Sequence, residues 1–287
     1  MRRVAALSGR SSRSRYRQFL VEGPQAVREL VRFAPGRVRD VYVAQDAALT
    51  HHDVVEAAIG AGLHLHEATA EVVRAMSADA QGVLAVADVV GTEPATTPDL
   101  TSVVASGPSL VAVLVAAGDP GNAGTVIRSA DAAGADAVLL GAGSVEVTNP
   151  KVVRATAGSL FHLPVVGGLE IDEAVAELRA AGLQVLAADG AGEWDLDELA
   201  DRALARAHGL QLSVEGELAA TDLLAPDLAV PTVWLLGNEA HGLTRAQREL
   251  ADAVVRVPVH GRAESLNLAT AAALCLYASA RAQRREV

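Results

Sequence analysis

Residues Leu110 to Arg128 read LVAVLVAAGDPGNAGTVIR, and this stretch decides the fold class. Leu110–Ala117 is a continuous apolar run, typical of a parallel strand buried on both faces. A Gly/Pro turn follows at Gly118–Gly121, and Asn122–Ala133 is predicted as a helix. A buried strand that ends in glycine and opens a helix leaves free N–H groups aimed at whatever binds there. Asn122 and Arg128 lie six residues apart on that helix, close enough to face one cleft edge. An arginine beside exposed N–H groups suits a phosphate or a ribose. Alone, the segment reads equally well as a capped helix with an ordinary surface arginine.

Working toward the C-terminus, the alternation continues. Strands are predicted at Ala137–Leu140, Leu163–Val166, Leu183–Ala188, Thr232–Leu236 and Val254–Val257. Helices are predicted at Pro150–Leu160, Asp172–Ala181, Arg245–Leu250 and Ser265–Arg281, with an acidic stretch, Glu193–Asp227, between the strands Leu183–Ala188 and Thr232–Leu236. Such alternation implies an α/β fold with a parallel sheet covered by helices on both faces. Ligands of such sheets bind at the carboxyl ends of the strands. The loops at Gly118–Gly124, Gly237–Gly242 and Pro258–Asn267 are therefore where chemistry is expected.

Toward the N-terminus lies a smaller α/β unit. Strands are expected at Phe19–Val21, Val38–Ala44, Leu63–His66 and Gly82–Val90, and helices at Pro24–Phe33, Asp53–Ala61 and Ala70–Met76. Gly91–Pro98 reads as a linker. The expected organisation is a flexible basic terminus at 1–17, a small domain with its linker at 18–98, and a large domain at 107–287.

Bulk properties bound the function. The 287 residues are 51% hydrophobic but only 3% aromatic, a composition of soluble α/β proteins. No apolar run is long enough for a membrane span and the Arg-rich start lacks an apolar signal core, so a cytoplasmic protein is expected. The single Cys275 sits in an Ala/Leu-rich helical stretch and reads as a small buried hydrophobe. A net charge of −11 argues superficially against nucleic acid, but residues 1–40 carry +7 and the rest −18. Charges act locally, so the Arg-dense start is a candidate phosphate-contacting arm, the alternative being a merely solvated terminus. His51-His52 and His64-Leu65-His66 lack metal-ligand context and read as structural, so no metal is expected.

The second loop is Val233-Trp234-Leu235-Leu236-Gly237-Asn238-Glu239-Ala240-His241-Gly242-Leu243. Again a strand ends in glycine, leaving room for a ligand against bare backbone; Glu239 there is a functional acid or a helix cap. The third loop runs from Val257-Pro258-Val259 to Glu264-Ser265-Leu266-Asn267-Leu268-Ala269. By itself it offers Ser265 as a helix N-cap and Asn267 as a first-turn side chain.

Together, in order and wording, the three loops resemble the three motifs of the SpoU/TrmH RNA ribose 2′-O-methyltransferases, a branch of the SPOUT superfamily. The segment Asn149–Leu160, NPKVVRATAGSL, is also similar to that family's, although His162 stands where an arginine is common. The resemblance covers about residues 107–285, and residues 18–98 resemble, more weakly, a ribosomal-protein-L30e-like RNA-binding domain. It implies a SPOUT-type parallel sheet with a C-terminal trefoil knot, where spacing alone suggests an unknotted doubly wound sheet. It implies S-adenosyl-L-methionine as cofactor, bound mainly by backbone at Gly237, Val257 and Leu266, with Leu236 and Ala188 as neighbours. The ribose side falls to Asn122, Arg128, Glu239, Ser265 and Asn267. Arg128 takes the place of the family's proposed base, but guanidinium is effectively never deprotonated, so orienting the hydroxyl and stabilising developing negative charge suits it better. The resemblance further implies a homodimer and an RNA substrate, ribosomal RNA ahead of transfer RNA, with antibiotic-resistance methylation among the roles.

Two other readings compete. A dinucleotide enzyme would need a Gly-rich fingerprint, but Gly141-Ala142-Gly143 is followed by Glu146 where the third glycine belongs. A non-catalytic RNA-binding module built on the L30e-like unit would leave the first two motifs as scaffold.

Overall fold

The computed structural model describes residues 1–89, 98–209, 225–238 and 241–284. They fall into two compact units. Unit 1 comprises Met1–Pro98 with Ala123–Arg128 and Val145–Pro164; unit 2 comprises Asp99–Asn122, Ser129–Ser144 and Val165–Val287. Unit 1 thus draws on chain from both sides of the 91–98 stretch, most of which lies outside the described residues.

The N-terminal part of unit 1 runs α1 (Arg2–Ala6), α2 (Arg10–Tyr16), β1 (Gln18–Glu22), α3 (Pro24–Phe33), β2 (Val38–Ala44), α4 (Gln45–Thr50), α5 (His52–Gly60), β3 (Leu65–Ala68), α6 (Ala70–Met76) and β4 (Val83–Asp88). The four strands form a sheet in the order β1-β4-β2-β3, antiparallel except for the β2–β3 pair. β1 is buried at all five positions because helices cover both its faces. On α3, Ala26, Val27, Leu30 and Val31 recur at three- and four-residue spacing, which turns one stripe inward. α6 starts where Thr69 Oγ1 accepts the Val72 N–H.

Residues 1–17 correct the expectation of a flexible arm. They form α1 and α2, and Val4 and Leu7 join the core cluster of Leu20, Val73, Met76 and Leu84. The buried Arg13 guanidinium donates to the Ser8 carbonyl at 2.8 Å and to Glu146 at 2.6 Å, and Arg10 meets the same carboxylate at 2.6 Å. One short apolar run, Val4–Leu7, among arginines and serines is too sparse a signal to read as two helices.

The rest of the chain contributes α7 (Leu100–Ala105), β5 (Leu110–Leu114), α8 (Pro120–Ala133), β6 (Ala137–Gly141), α9 (Pro150–Ala155), β7 (Val165–Leu169), α10 (Ile171–Ala180) and β8 (Gln184–Ala188). β9 (Trp194–Asp195), α11 (Leu196–Ala207), β10 (Thr232–Leu236), α12 (Arg245–Glu249), β11 (Ala253–Arg256) and α13 (Leu268–Gln283) follow. Unit 2 is built on a seven-stranded parallel sheet in the order β7-β6-β5-β10-β8-β11-β9. From β5 the chain steps outward through β6 and β7, then crosses to β8, and β10 later inserts between β5 and β8. That reversal beside β5 opens a crevice at the strands' carboxyl ends. The core is Val, Leu and Ala from both faces, as the apolar runs imply.

α13 packs against the sheet and α11. Ala269, Leu276 and Ala280, at three- and four-residue spacing, are buried against its own chain. The exposed apolar residues of this helix are Leu274 and Tyr277. Fully buried Trp234 on β10 donates its indole N–H to Ser279 Oγ on α13 at 3.0 Å, which satisfies the polar edge of the largest core side chain.

Cys275 is fully buried on α13, and that burial pushes its thiol up to about 12. The thiolate is the reactive form, so a disulfide reagent at pH 8 is expected to modify native protein at least ~100-fold more slowly than urea-unfolded protein. Comparable rates would mean that α13 opens readily.

Candidate active site

Four neighbouring parallel strands, β5, β10, β8 and β11, end on one edge of the unit 2 sheet, with Leu114 beside Leu236, Leu236 beside Ala188 and Ala188 beside Val255. The three motif loops leave from this edge. Sheet register therefore brings together segments that are more than a hundred residues apart in sequence.

After β5 the chain turns at Gly118, and Asp119 caps α8 by accepting the Asn122 N–H at 2.8 Å. Pro120 occupies the first turn, where its missing N–H costs nothing. This sets Asn122, half-buried, at the third helical position. After β10, the chain folds back on itself at Gly237. Asn238 N donates to Gly242 O at 3.0 Å and Gly242 N to Asn238 O at 2.8 Å. A Cβ on Gly237 would lie 2.4 Å from the Gly242 carbonyl carbon and 2.7 Å from Leu243 N, so only glycine fits this close backbone approach. Gly242 holds φ +63°, in the left-handed region, which closes the turn.

Side chains then join the loops. Asn238 Nδ2 donates to the Ala116 carbonyl at 2.8 Å, tying the second loop to the first. Asn267 Nδ2 donates to Asn122 Oδ1 at 2.9 Å, tying the third loop to the first. The same Asn267 caps α13, its Oδ1 accepting the Ala269 and Thr270 N–H groups at 2.9 and 3.4 Å. The helix thus begins later than expected. Asn267, not Ser265, is the N-cap, because its short amide can serve the helix end and Asn122 at once.

Of the residues expected at the site, Leu236, Gly237, Ala188, Val257, Leu266, Ser265 and Asn267 lie at the strand ends or on the loops of unit 2, and Asn122 lies in the first turn of α8. Ser265 and Asn267 are exposed, and Val257 and Leu266 are half-buried. Arg128 lies further along α8, exposed, with no hydrogen bond or ion pair among the described residues. Six residues of helix amount to about 600° of turn and ~9 Å of rise, so Arg128 leaves α8 on a different side from Asn122. The shared edge read from spacing is not a shared helix face. Glu239 lies outside the described residues. Two positions were not singled out in sequence. Asn238 stood inside the second motif, so its signal was available; Asp189, which ion-pairs with Arg248 at 3.4 Å behind β8, had none.

The backbone amides of Gly237, Val257 and Leu266 enter no hydrogen bond among the described residues. Backbone groups in a crevice need partners. Three sets of them at one sheet edge suit a polar ligand such as an adenosine held chiefly by main-chain contacts.

A family model for the SpoU rRNA Methylase family matches residues 109–277, which contain all three loops. The chain belongs to this family. It is 31% identical over 274 residues to the 23S rRNA (guanosine(2553)-2′-O)-methyltransferase RlmP of Bacillus subtilis (strain 168), spanning 94% of this chain and 92% of that one. Among solved structures, an AdoMet-bound rRNA methyltransferase from Sinorhizobium meliloti superposes with TM-score 0.74 at 26% identity, covering 98% of this chain and 93% of that one. The SpoU methyltransferase AviRb from Streptomyces viridochromogenes, in complex with AdoMet, gives 0.73 at 26% identity, covering 99% and 97%.

His66 and His162 make structural contacts within unit 1. His66 Nε2 lies 2.9 Å from Asp40 and its ring stacks on Tyr42 at 4.7 Å. His162, in place of the SpoU arginine, contacts Glu29 at 3.1 Å and packs edge-on to Phe33. Among the described residues no His/Cys/Asp/Glu group suited to a metal occurs.

Proposed function

We propose that this SpoU enzyme transfers a methyl group from S-adenosylmethionine to a ribose 2′-OH of 23S ribosomal RNA. The observation that carries the reading is the pair of side-chain hydrogen bonds, Asn267 to Asn122 and Asn238 to Ala116, that draw the three SpoU loops to one sheet edge. The end-to-end match to RlmP, whose name gives a 23S rRNA ribose, supports ribosomal RNA over transfer RNA.

When bound, the cofactor supplies an activated sulfonium methyl. Gly237, Val257 and Leu266 would hold it through main-chain groups, with Leu236 and Ala188 as apolar neighbours. The trefoil knot of SPOUT proteins would enclose it. What remains for the protein is orientation. Asn122, fixed by Asn267, and the exposed hydroxyl of Ser265 can position the ribose. Arg128, permanently cationic, is suited to orient the 2′-OH and stabilise the negative charge that grows as its proton leaves. Glu239 is assigned to supporting the second loop.

RNA affinity is assigned to unit 1, as an L30e-like domain. Arg10 and Arg13 are held by Glu146 and Arg28 by Asp53, which leaves Arg2, Arg15, Arg17, Arg32 and Arg39 exposed for phosphate contact. Replacing Arg2, Arg15 and Arg17 together by Gln is expected to weaken RNA binding ~10-fold or more at 0.1 M salt and to flatten its salt dependence. Unchanged binding would place the RNA elsewhere. The catalytic half is proposed to form a homodimer through the exposed Leu274 and Tyr277. Light scattering should then give twice the 29.5 kDa chain mass.

Equilibrium binding of labelled S-adenosylmethionine separates the competing readings. The methyltransferase binds it saturably, whereas a plain RNA-binding module binds none and a dehydrogenase binds a dinucleotide instead.

A further inference from the structure

Unit 1 contains a cavity of about 420 Å³ whose walls come from α1, α6 and α9 and from the turns beside them. Its floor holds Glu22, 7% exposed, which accepts from Ser77 Oγ at 2.5 Å and from the Arg154 guanidinium. Arg154 also meets Asp79 at 2.9 Å. Both carboxylates lining the cavity are thereby committed to Arg154. Two further cations line it, Arg74 and Lys151, both exposed. Among the described residues neither has a carboxylate within ion-pair distance. The cavity lining, with Arg74, Lys151 and Arg154 against Glu22 and Asp79, therefore carries a local positive excess in a chain whose overall charge is −11.

The identity of one of those cations is informative. Of the 24 lysines and arginines in the chain, Lys151 is the only lysine. A chain that uses arginine at every other cationic position keeps a compact ammonium here. Such a group acts as a point charge that can follow one oxygen at short range, where the planar guanidinium prefers forked contacts. With Arg74 also lining the cavity, the pair suits a phosphate flanked by a second phosphate or by hydroxyl groups.

We infer that this cavity is a second RNA contact: Lys151 and Arg74 hold a phosphodiester of the substrate there, outside the three methyltransfer loops. The inference rests on RNA being the substrate. It adds a site formed in part by the segment 145–164, which the Arg-rich N-terminus does not supply. Each phosphate neutralised releases counterions, so losing one contact should lower the slope of log K against log salt by roughly 0.9 for a duplex and 0.7 for single strands.

Because Lys151 is the only lysine, an amine-reactive acetylating reagent reads occupancy in the unaltered protein. Peptide mass spectrometry distinguishes the Lys151 amine from the N-terminal amine. With saturating 23S rRNA fragment, acetylation of Lys151 is expected to fall at least fivefold, with no such protection from inorganic phosphate at equal phosphate concentration. In parallel, the Lys151→Gln and Arg74→Gln variants should each weaken RNA binding about three- to tenfold and lower the salt slope by about one contact. Their S-adenosylmethionine affinity should remain unchanged, which also verifies folding. Equal acetylation with and without RNA, or variants with wild-type RNA affinity and slope, would overturn the cavity as an RNA contact. Protection by inorganic phosphate alone would reduce it to a general anion site and also overturn it. Failure of the wild-type protein to bind RNA at all would instead refute the substrate reading on which this rests.

Discussion

Arg128→Ala is expected to lower the methyl-transfer rate by about 10²–10³-fold while changing S-adenosylmethionine affinity less than twofold. The magnitude is that of removing one preorganised donor from a developing oxyanion. The split follows from position. Arg128 is exposed on α8, beyond the turn that holds Asn122, and is not among the strand-end residues assigned to the cofactor. Because it has no ion pair among the described residues, its removal strands no buried partner, and stability should change by less than ~0.5 kcal/mol. Single-turnover rates with saturating cofactor and RNA measure this directly. A variant retaining near-wild-type turnover would remove Arg128 from the chemistry, and one that also lost cofactor binding would mean the two roles had been wrongly divided. Arg128→Lys keeps the charge but loses the planar fork, so it should recover only part of the rate.

The second large effect is expected at Gly237. An added Cβ would lie 2.4 Å from the Gly242 carbonyl carbon, and that neighbour is backbone, locked by the Asn238–Gly242 hydrogen-bond pair. No rotamer change relieves such a clash, so the loop itself must move. Gly237→Ala should cost about 1–3 kcal/mol, the usual range for overpacking. If that strain is released by opening the loop, it appears as a loss of cofactor affinity of roughly 5–150-fold, since each 1.4 kcal/mol is tenfold. Calorimetric titration with S-adenosylmethionine, alongside thermal unfolding, measures both. A variant with unchanged affinity and unchanged Tm would show that the 237–243 turn is looser than its geometry implies.

How far the sequence reached depended on the range of the interaction involved. Thr232–Leu236 and Ala70–Met76 form a strand and a helix with the boundaries their local patterns suggest, because apolar runs and an N-cap threonine act over a few residues. The order of strands was not legible. Alternation implies a parallel sheet, but the insertion of β10 between β5 and β8 is decided by long-range packing that leaves no local mark. The acidic stretch from Glu193 conceals β9 and the amphipathic α11, whose buried Leu196 and Leu199 sit among aspartates and glutamates that face solvent. The site shows the same division. Glycine at 237 and asparagine at 267 could be picked out as motif residues, but the Asn267–Asn122 contact spans 145 residues and only the folded sheet brings it about. Spacing placed Arg128 and Asn122 near one cleft edge, and the pitch of the helix sets them about 120° apart around α8.

The central claim is that the crevice at the ends of β5, β10, β8 and β11 methylates a ribose hydroxyl. It is tested most directly by incubating the protein with 23S rRNA and isotopically labelled S-adenosylmethionine, then mapping the label by alkaline hydrolysis. Alkali cleaves RNA through attack by the free 2′-oxygen, so a methylated ribose resists cleavage at its own linkage. The expected result is label confined to one discrete site, with a single gap in the hydrolysis ladder there, and neither label nor gap with Arg128→Ala. Label on a base with an uninterrupted ladder, or no transfer to RNA by a protein that binds the cofactor, would contradict it.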